Sequence, residues 1–281
     1  MSTGPQDRTL SESLTLDLLV LQRVADGVVL VTLNRPDHAN GVVPELIDDL
    51  LGALTMLERD RSVRALVLTG AGKQFCAGAD LHAMKAYLDE RLHVEQEPYN
   101  ARILLPVTQR LVACRMPAIA AINGGATAGG LDLALACDIR IASRRAKLGE
   151  TCVKVGLAPG NGGTYFLPRL VGSGMAAELA LTGDVIDAER ALAIGLVNRI
   201  VEPEQLLPEA VALAARIAER PWRAVEATKQ ALRASWNTDL ASAMTASYWT
   251  TAALQFTDDF REGVEAAIEK RPARFNRPPR G

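Results

Sequence analysis

Two stretches of this chain join small residues to the edge of a regular element, and both could act on a ligand through the main chain. The first is Gly72-Lys73-Gln74-Phe75-Cys76-Ala77-Gly78-Ala79-Asp80-Leu81, directly after a short apolar run. The second is Asn123-Gly124-Gly125-Ala126-Thr127-Ala128-Gly129-Gly130-Leu131-Asp132, between another such run and the apolar helical stretch Leu133 to Ala136. Small residues let a ligand approach the backbone, and a helix N-terminus offers unpaired N–H donors with partial positive charge. Two such loops side by side would present two N–H groups to one oxygen, the geometry that stabilises a developing oxyanion. On composition alone the same glycines could serve only tight turns and close helix packing, and both readings stay open at this level. Nucleotide and hydrolase signatures fail. Gly70-Ala71-Gly72-Lys73 lacks the upstream glycine and the following Ser/Thr of a phosphate-binding loop, neither loop spells G-x-G-x-x-G, and there is no G-x-S-x-G elbow.

The elements that must hold these loops are legible as short apolar runs. Leu16 to Val24 and Gly27 to Leu33 read as strands, the second ended by Asn34-Arg35-Pro36. Pro44 to Asp60 switches to helical period, with Leu46, Ile47, Leu50, Leu51, Leu54 and Leu57 on one stripe. Arg64 to Thr69, Pro117 to Ile122 and Asp138 to Ser143 have the uninterrupted apolar character of buried strands. Strand, glycine loop and helix thus recur, as expected for an α/β core of parallel strands with helical crossovers. After about residue 170 the strand signals fade. Ser173 to Leu181 is helical, Asp187 can cap a helix ending at Gly195, and helices are expected over about 203–219, 221–236, 239–256 and 258–270. The expected organisation is a frayed polar start over 1–13, an α/β core over 14–200 and a helical region over 201–281.

Composition narrows the class. The 281 residues carry 31 basic and 33 acidic side chains, so no global field recruits nucleic acid or an anionic membrane. No apolar run approaches the roughly 20 residues of a membrane span, and the polar start lacks the apolar core of a signal peptide. The four cysteines, Cys76, Cys114, Cys137 and Cys152, form no C-x-x-C pair and read as reduced, mostly buried thiols. His38, His82 and His93 form no metal pair. The expectation is a cytoplasmic α/β protein with no metal.

Several segments in order resemble the enoyl-CoA hydratase/isomerase (crotonase) family. They are Leu33-Asn34-Arg35-Pro36, the Gly72 to Leu81 loop, Pro117 to Gly124, Cys137 to Ala142, Gly156-Leu157-Ala158-Pro159-Gly160 with Gly162-Gly163-Thr164, Leu181 to Asp184, Gly195-Leu196-Val197 and Asp258 to Gly263. The similarity runs in register from about residue 14 to 275. The resemblance implies a crotonase-like superhelix of ββα units with a C-terminal helical trimerisation region, assembled as a homotrimer or as a hexamer of two trimers. It implies a CoA thioester as substrate and no bound cofactor. By position, the amides of Ala79 and Gly129 would form the oxyanion hole. CoA would lie along Asp37, His38, Ala39, Ala77, Asp80 and Leu81, with Lys270 reaching its phosphates from a neighbouring subunit. Lys270, Arg271, Arg274, Arg277 and Arg280 form a basic tail suited to a polyanion, or an ordinary solvated terminus. Trp222, Trp236 and Trp249 read as packing residues at a subunit contact, and acyl-pocket residues are expected between Met84 and Pro106.

One departure from the family pattern bears on the chemistry. Hydratases of the family carry two glutamates that hold and activate water; the first position is Asp132 here and the second is Cys152. A thiol is a poor substitute for a carboxyl as proton donor. Glu150 could supply the missing carboxyl if its segment is extended, since residues two apart then share a face; in a helix it would point away. Asp132 alone would suit double-bond isomerisation, and a nucleophilic Cys152 would suit thioester cleavage. The expected function is enoyl-CoA hydration by Ala79, Gly129 and Asp132 with Glu150 in reserve; the rivals are an isomerase and an acyl-CoA-binding protein without turnover.

Overall fold

Each apolar run read as a strand becomes a neighbour of the next in one sheet. The computed structural model describes residues 10, 12–89 and 104–276. A seven-stranded sheet has the order β1 (Ser13–Thr15), β2 (Leu19–Ala25), β3 (Val28–Leu33), β4 (Ala65–Gly70), β5 (Ala118–Ile122), β7 (Ile139–Ser143) and β10 (Arg199–Val201). The first three pair antiparallel, and β3 through β10 run parallel. A second sheet joins β6 (Gly125–Thr127), β8 (Lys147–Gly149) and β9 (Val185–Asp187), with β6 and β8 parallel.

The parallel strands β3, β4, β5 and β7 are largely buried on both faces, which explains their apolar runs. Val29, Val31, Leu66, Leu68, Ala118, Ala120 and Ile122 face the larger core, shared with α1 (Pro44–Arg59), α3 (Leu105–Ala113) and α4 (Gly129–Ala136). Their alternates Val28, Leu30, Ala65, Val67, Ile119 and Ala121 face α8 (Leu206–Ala218). That helix presents Leu206, Ala210, Ala214 and Ala218, every fourth residue, so small side chains let it sit close on the sheet. The helical region after residue 200 therefore begins as part of the core layer.

The remaining elements are α2 (Leu81–Asp89), a 3-10 turn at Thr151–Val155, α5 (Gly163–Val171), α6 (Ser173–Thr182), α7 (Ala188–Ala193), α9 (Trp222–Ala234), α10 (Leu240–Leu254) and α11 (Asp258–Ile268). Asp187 caps α7 by accepting from the Arg190 amide. The expected fading of strands after residue 170 is corrected by β9 and β10; three residues each are too short to carry a periodic signal. Trp236 packs within the chain against Tyr165 and Phe166, at ring-centroid distances of 5.9 and 6.2 Å. Trp249, by contrast, is exposed on α10, which buries no residue in this chain. All four cysteines are free and buried. No helix among the described residues is long and apolar enough to cross a membrane.

Candidate active site

The two glycine-containing segments do lie side by side. The main chain stitches them together: the amides of Phe75 and Cys76 donate to the Gly125 carbonyl, and the amide of Thr127 donates to that of Cys76. On its far side, Ala79 sits in an isolated parallel bridge with Val42. The Val42 amide donates to Gly78 and the Asp80 amide donates back to Val42. Neighbouring peptide groups in extended chain point opposite ways, so the Ala79 amide faces away from Val42. In the second segment Ala128 caps α4: its carbonyl accepts from the amides of Leu131 and Asp132, leaving Gly129 at the first helical position. Ala128 has φ 48° and ψ −126°, a strained conformation for a residue with a Cβ, and it sets the peptide that carries the Gly129 amide. Neither the Ala79 nor the Gly129 amide donates a hydrogen bond among the described residues.

Gly78 fixes how closely these turns meet. A Cβ there would lie 3.1 Å from the Gly129 nitrogen and 3.0 Å from the Thr127 oxygen. Both turns open on one cavity of about 130 Å³ whose wall includes Ala77, Ala79, Leu81, Met84, Leu104, Gly129, Cys152 and Asn161. Met84 and Leu104 fall inside the stretch expected to form the acyl pocket; residues 90–103 of that stretch lie outside the described residues.

The first segment is held from behind by a small polar cluster. Asp80 caps α2, its Oδ1 accepting from the amides of His82 (2.9 Å) and Ala83 (3.2 Å), while Oδ2 meets Arg35 at 3.0 Å. Burial pushes this carboxyl up, but the Ala83 amide, the Arg35 guanidinium and the His82 amide outweigh it and hold Asp80 below the usual carboxylate range. Fully buried Asn40 accepts from the Arg35 amide and donates to the carbonyls of Ala71 and Gln74, tying the 35–41 turn to the first segment. Asn40 was not singled out from the sequence, because the carbonyls it donates to lie 31 and 34 residues away. Asp37 and His38 are exposed on a 3-10 turn, Pro36–His38, and Ala39 is half-buried; none of the three is in the cavity wall.

The carboxyl groups come together behind the wall. Gly129 and Asp132 are three apart on α4 and share a helix face. Glu150 arrives through the second sheet: β6 and β8 run parallel with Thr127 opposite Gly149, so the residues following each strand are adjacent. Glu150 caps the 3-10 turn and so belongs to neither the strand nor the helix weighed from sequence. Its side chain turns inward, and both it and Asp132 are fully buried. A Cβ on Gly163 would stand 2.6 Å from Asp132 Oδ1 and 2.8 Å from Glu150 Oε2, so the carboxyls converge on this bare glycine. Both oxygens of Asp132 and Oε2 of Glu150 lack a hydrogen-bond partner among the described residues.

Burial drives their electrostatics. Desolvation lifts Asp132 to about 7, offset in part by the side chain and amide of Asn161 and the amide of Gly163, which lean toward it without closing a well-formed hydrogen bond. Desolvation, and then the charge of Asp132, lift Glu150 to about 8. Glu150 Oε1 accepts from the Cys152 thiol at 3.3 Å. Burial, the Glu150 charge and that bond push the thiol up to about 12, which is the opposite of what a nucleophilic thiolate needs.

At the C-terminus, Lys270 is exposed with φ 54°. Within the basic tail expected around it, Arg271 is paired with Glu262 and Glu269, and the main-chain amide of Arg274 donates to Glu262. Arg277 and Arg280 lie outside the described residues.

Two amides unpaired among the described residues, beside buried carboxyls, mark the candidate site, and comparison places the chain. The profile of the enoyl-CoA hydratase/isomerase family matches residues 23–278, and the chain belongs to that family. It is 39% identical to crotonyl-CoA hydratase of Syntrophomonas wolfei over 251 residues, covering 89% of this chain and 95% of that protein. It is 39% identical to short-chain-enoyl-CoA hydratase of Clostridium acetobutylicum, covering 87% and 92%. Among solved structures, enoyl-CoA hydratase from Bacillus anthracis superimposes with a TM-score of 0.85 at 35% identity, covering 92% of this chain and 99% of that one. The fold is the crotonase fold.

Proposed function

We propose that this protein is an enoyl-CoA hydratase, adding water across the double bond of a 2-enoyl-CoA thioester. The observation that carries the reading is the pair of unpaired amides, Ala79 and Gly129, opening on one cavity. Two donors on a thioester oxygen draw electron density from the conjugated double bond, so the β-carbon accepts water and charge gathers as an enolate. Such preorganised donors are worth about 2.7–4 kcal/mol each. Asp132, on the same face of α4 as Gly129, is the acid/base that moves the proton. Names of the relatives support the substrate class. Lys270 and the turn at Asp37 to Ala39 are the proposed contacts to the CoA phosphates and nucleotide.

A homotrimer or hexamer is part of the proposal. Leu240, Met244, Tyr248, Trp249, Phe256, Phe260 and Ile268 are exposed along α10 and α11 in the single chain, an apolar surface suited to burial by other copies.

The test is loss of the conjugated absorbance on mixing with crotonyl-CoA. Wild-type protein is expected to consume it with addition of water, and Asp132→Asn to lose turnover while still binding CoA. Full activity in that variant refutes the role of Asp132. Turnover of only 3-enoyl substrates would replace hydration by isomerisation, and tight binding with no turnover would leave a binding protein.

A further inference from the structure

A buried water needs about two to four polar partners to stay in one place. The cavity offers few. Among the described residues its wall has three polar side chains, Thr151, Cys152 and Asn161. The Cys152 thiol is committed to Glu150 Oε1. Asp132, the proposed acid/base, is fully buried and is not in the wall. Asn161 is in the wall and turns its side-chain and main-chain N–H groups toward Asp132. It also stands beside the proposed oxyanion hole, since a Cβ on Gly129 would lie 3.5 Å from Asn161 Nδ2. One carboxamide thus joins the cavity, the Gly129 turn and the buried carboxyl.

An asparagine in a turn ordinarily bonds back to its own loop. Here the carboxamide faces Asp132, and packing from outside pins the loop. Gly162 has φ 120°, and a Cβ on it would meet Phe166 Cε2 at 2.6 Å and Thr108 Cγ2 at 3.3 Å. Gly163 is closed off in the same way by Asp132 and Glu150. Asn161 is therefore set in place by α3, α4 and α5 before a ligand arrives, which is what a group that orients a reactant requires.

We propose that Asn161 is the positioning residue for the water added in hydration, its Oδ1 accepting one water hydrogen and its Nδ2 donating to ionised Asp132. The second water hydrogen is then left pointing at that carboxylate. The inference rests on the hydratase reading. The water oxygen bonds to the β-carbon, the π electrons pass into the thioester as an enolate, and Asp132 takes the water proton. Asp132 returns that proton to the α-carbon, so one water is added and Asp132 ends ionised, as it began. Asn161 makes and breaks no covalent bond.

The test assays full-length Asn161→Ala and Asn161→Asp with crotonyl-CoA across pH. Asn161→Ala is expected to lower kcat by about 10- to 100-fold, with KM changed less than about threefold. Both N–H groups of Asn161 favour the ionised form of Asp132, and the titratable neighbours of that carboxyl are Glu150 and Cys152. Loss of the carboxamide should therefore move the acid limb of the kcat profile to higher pH. Asn161→Asp keeps the size and the turn-forming habit but sets a like charge beside Asp132. Its kcat should fall at least as far, and its acid limb should move further. Wild-type kcat within about twofold and an unmoved limb in both variants overturn the inference. A fall in kcat that comes with a lowered Tm and an unmoved limb also overturns it, because a turn residue alone would give that result. The ¹³C titration of the Asp132 carboxyl, identified by its loss in Asp132→Asn, reads the contact without turnover and should move to higher pH in Asn161→Ala. A wild-type protein that does not hydrate crotonyl-CoA defeats the hydratase reading and with it the water-holding role, while a titration that still moves keeps the contact between Asn161 and Asp132.

Discussion

Gly78→Ala drives a wedge between the two turns that carry the proposed oxyanion hole. The residue has φ 88°, so any side chain costs roughly 1–2 kcal/mol in backbone strain. Its Cβ would also meet the Thr127 oxygen at 3.0 Å, the Ala128 Cβ at 3.1 Å and the Gly129 nitrogen at 3.1 Å. These contacts are main chain or a methyl fixed to it, so relief requires the second turn to move by a few tenths of an ångström. Complete loss of one oxyanion donor costs about 2.7–4 kcal/mol in the transition state. A partial misalignment should cost about half that, a fall in kcat of roughly 10- to 30-fold. Gly172→Ala is the control: φ is 80° there, but nothing among the described residues lies within 4 Å of the added methyl. Both variants should lose a few degrees in Tm, and only Gly78→Ala should lose turnover on crotonyl-CoA. A Gly78→Ala enzyme that keeps kcat within about twofold, with its Tm lowered like that of the control, refutes the reasoning.

Three further outcomes follow from the same geometry. Because Asp132 and Glu150 are both raised in the fold, their contribution to stability is fully present below the ordinary carboxyl range and is lost as pH rises to about 8. Thermal melts from acid to alkaline pH should show this decline in wild type and a flatter, higher curve in Glu150→Gln; an unchanged curve contradicts it. Asp80→Ala removes the cap of α2 and the partner of half-buried Arg35, and should cost about 2–3 kcal/mol in urea unfolding, with Asp80→Asn retaining part of the cap. Lys270→Ala should raise KM for crotonyl-CoA roughly tenfold with kcat unchanged, the expected loss of one charge-assisted contact; an unchanged KM removes Lys270 from the CoA site.

What the sequence made legible divides along physical lines. Runs such as Arg64 to Thr69 and Pro117 to Ile122 announce strands because burial on both faces demands apolar side chains at every position, and α1 announces itself by its stripe. The short β6, β8, β9 and β10 carry no such signal, since three residues show no period and their pairing is long-range. The Ala79 and Gly129 positions were legible through small residues in a family register. The inward turn of Glu150 was not, because it depends on a parallel pairing of β6 with β8 that no local pattern encodes. Asn40 and Asn161 gain the contacts that tie them to the two segments only once distant parts of the chain are brought together.

If two main-chain amides grip one thioester oxygen, the carbonyl stretch of bound substrate reads this most directly. Crotonyl-CoA labelled with ¹³C at the thioester carbonyl, bound to Asp132→Asn protein and followed by infrared difference spectroscopy, should show that band at lower wavenumber than in water, and Gly78→Ala in the same background should return it part of the way. A bound substrate whose carbonyl band stays at its value in water would contradict the account.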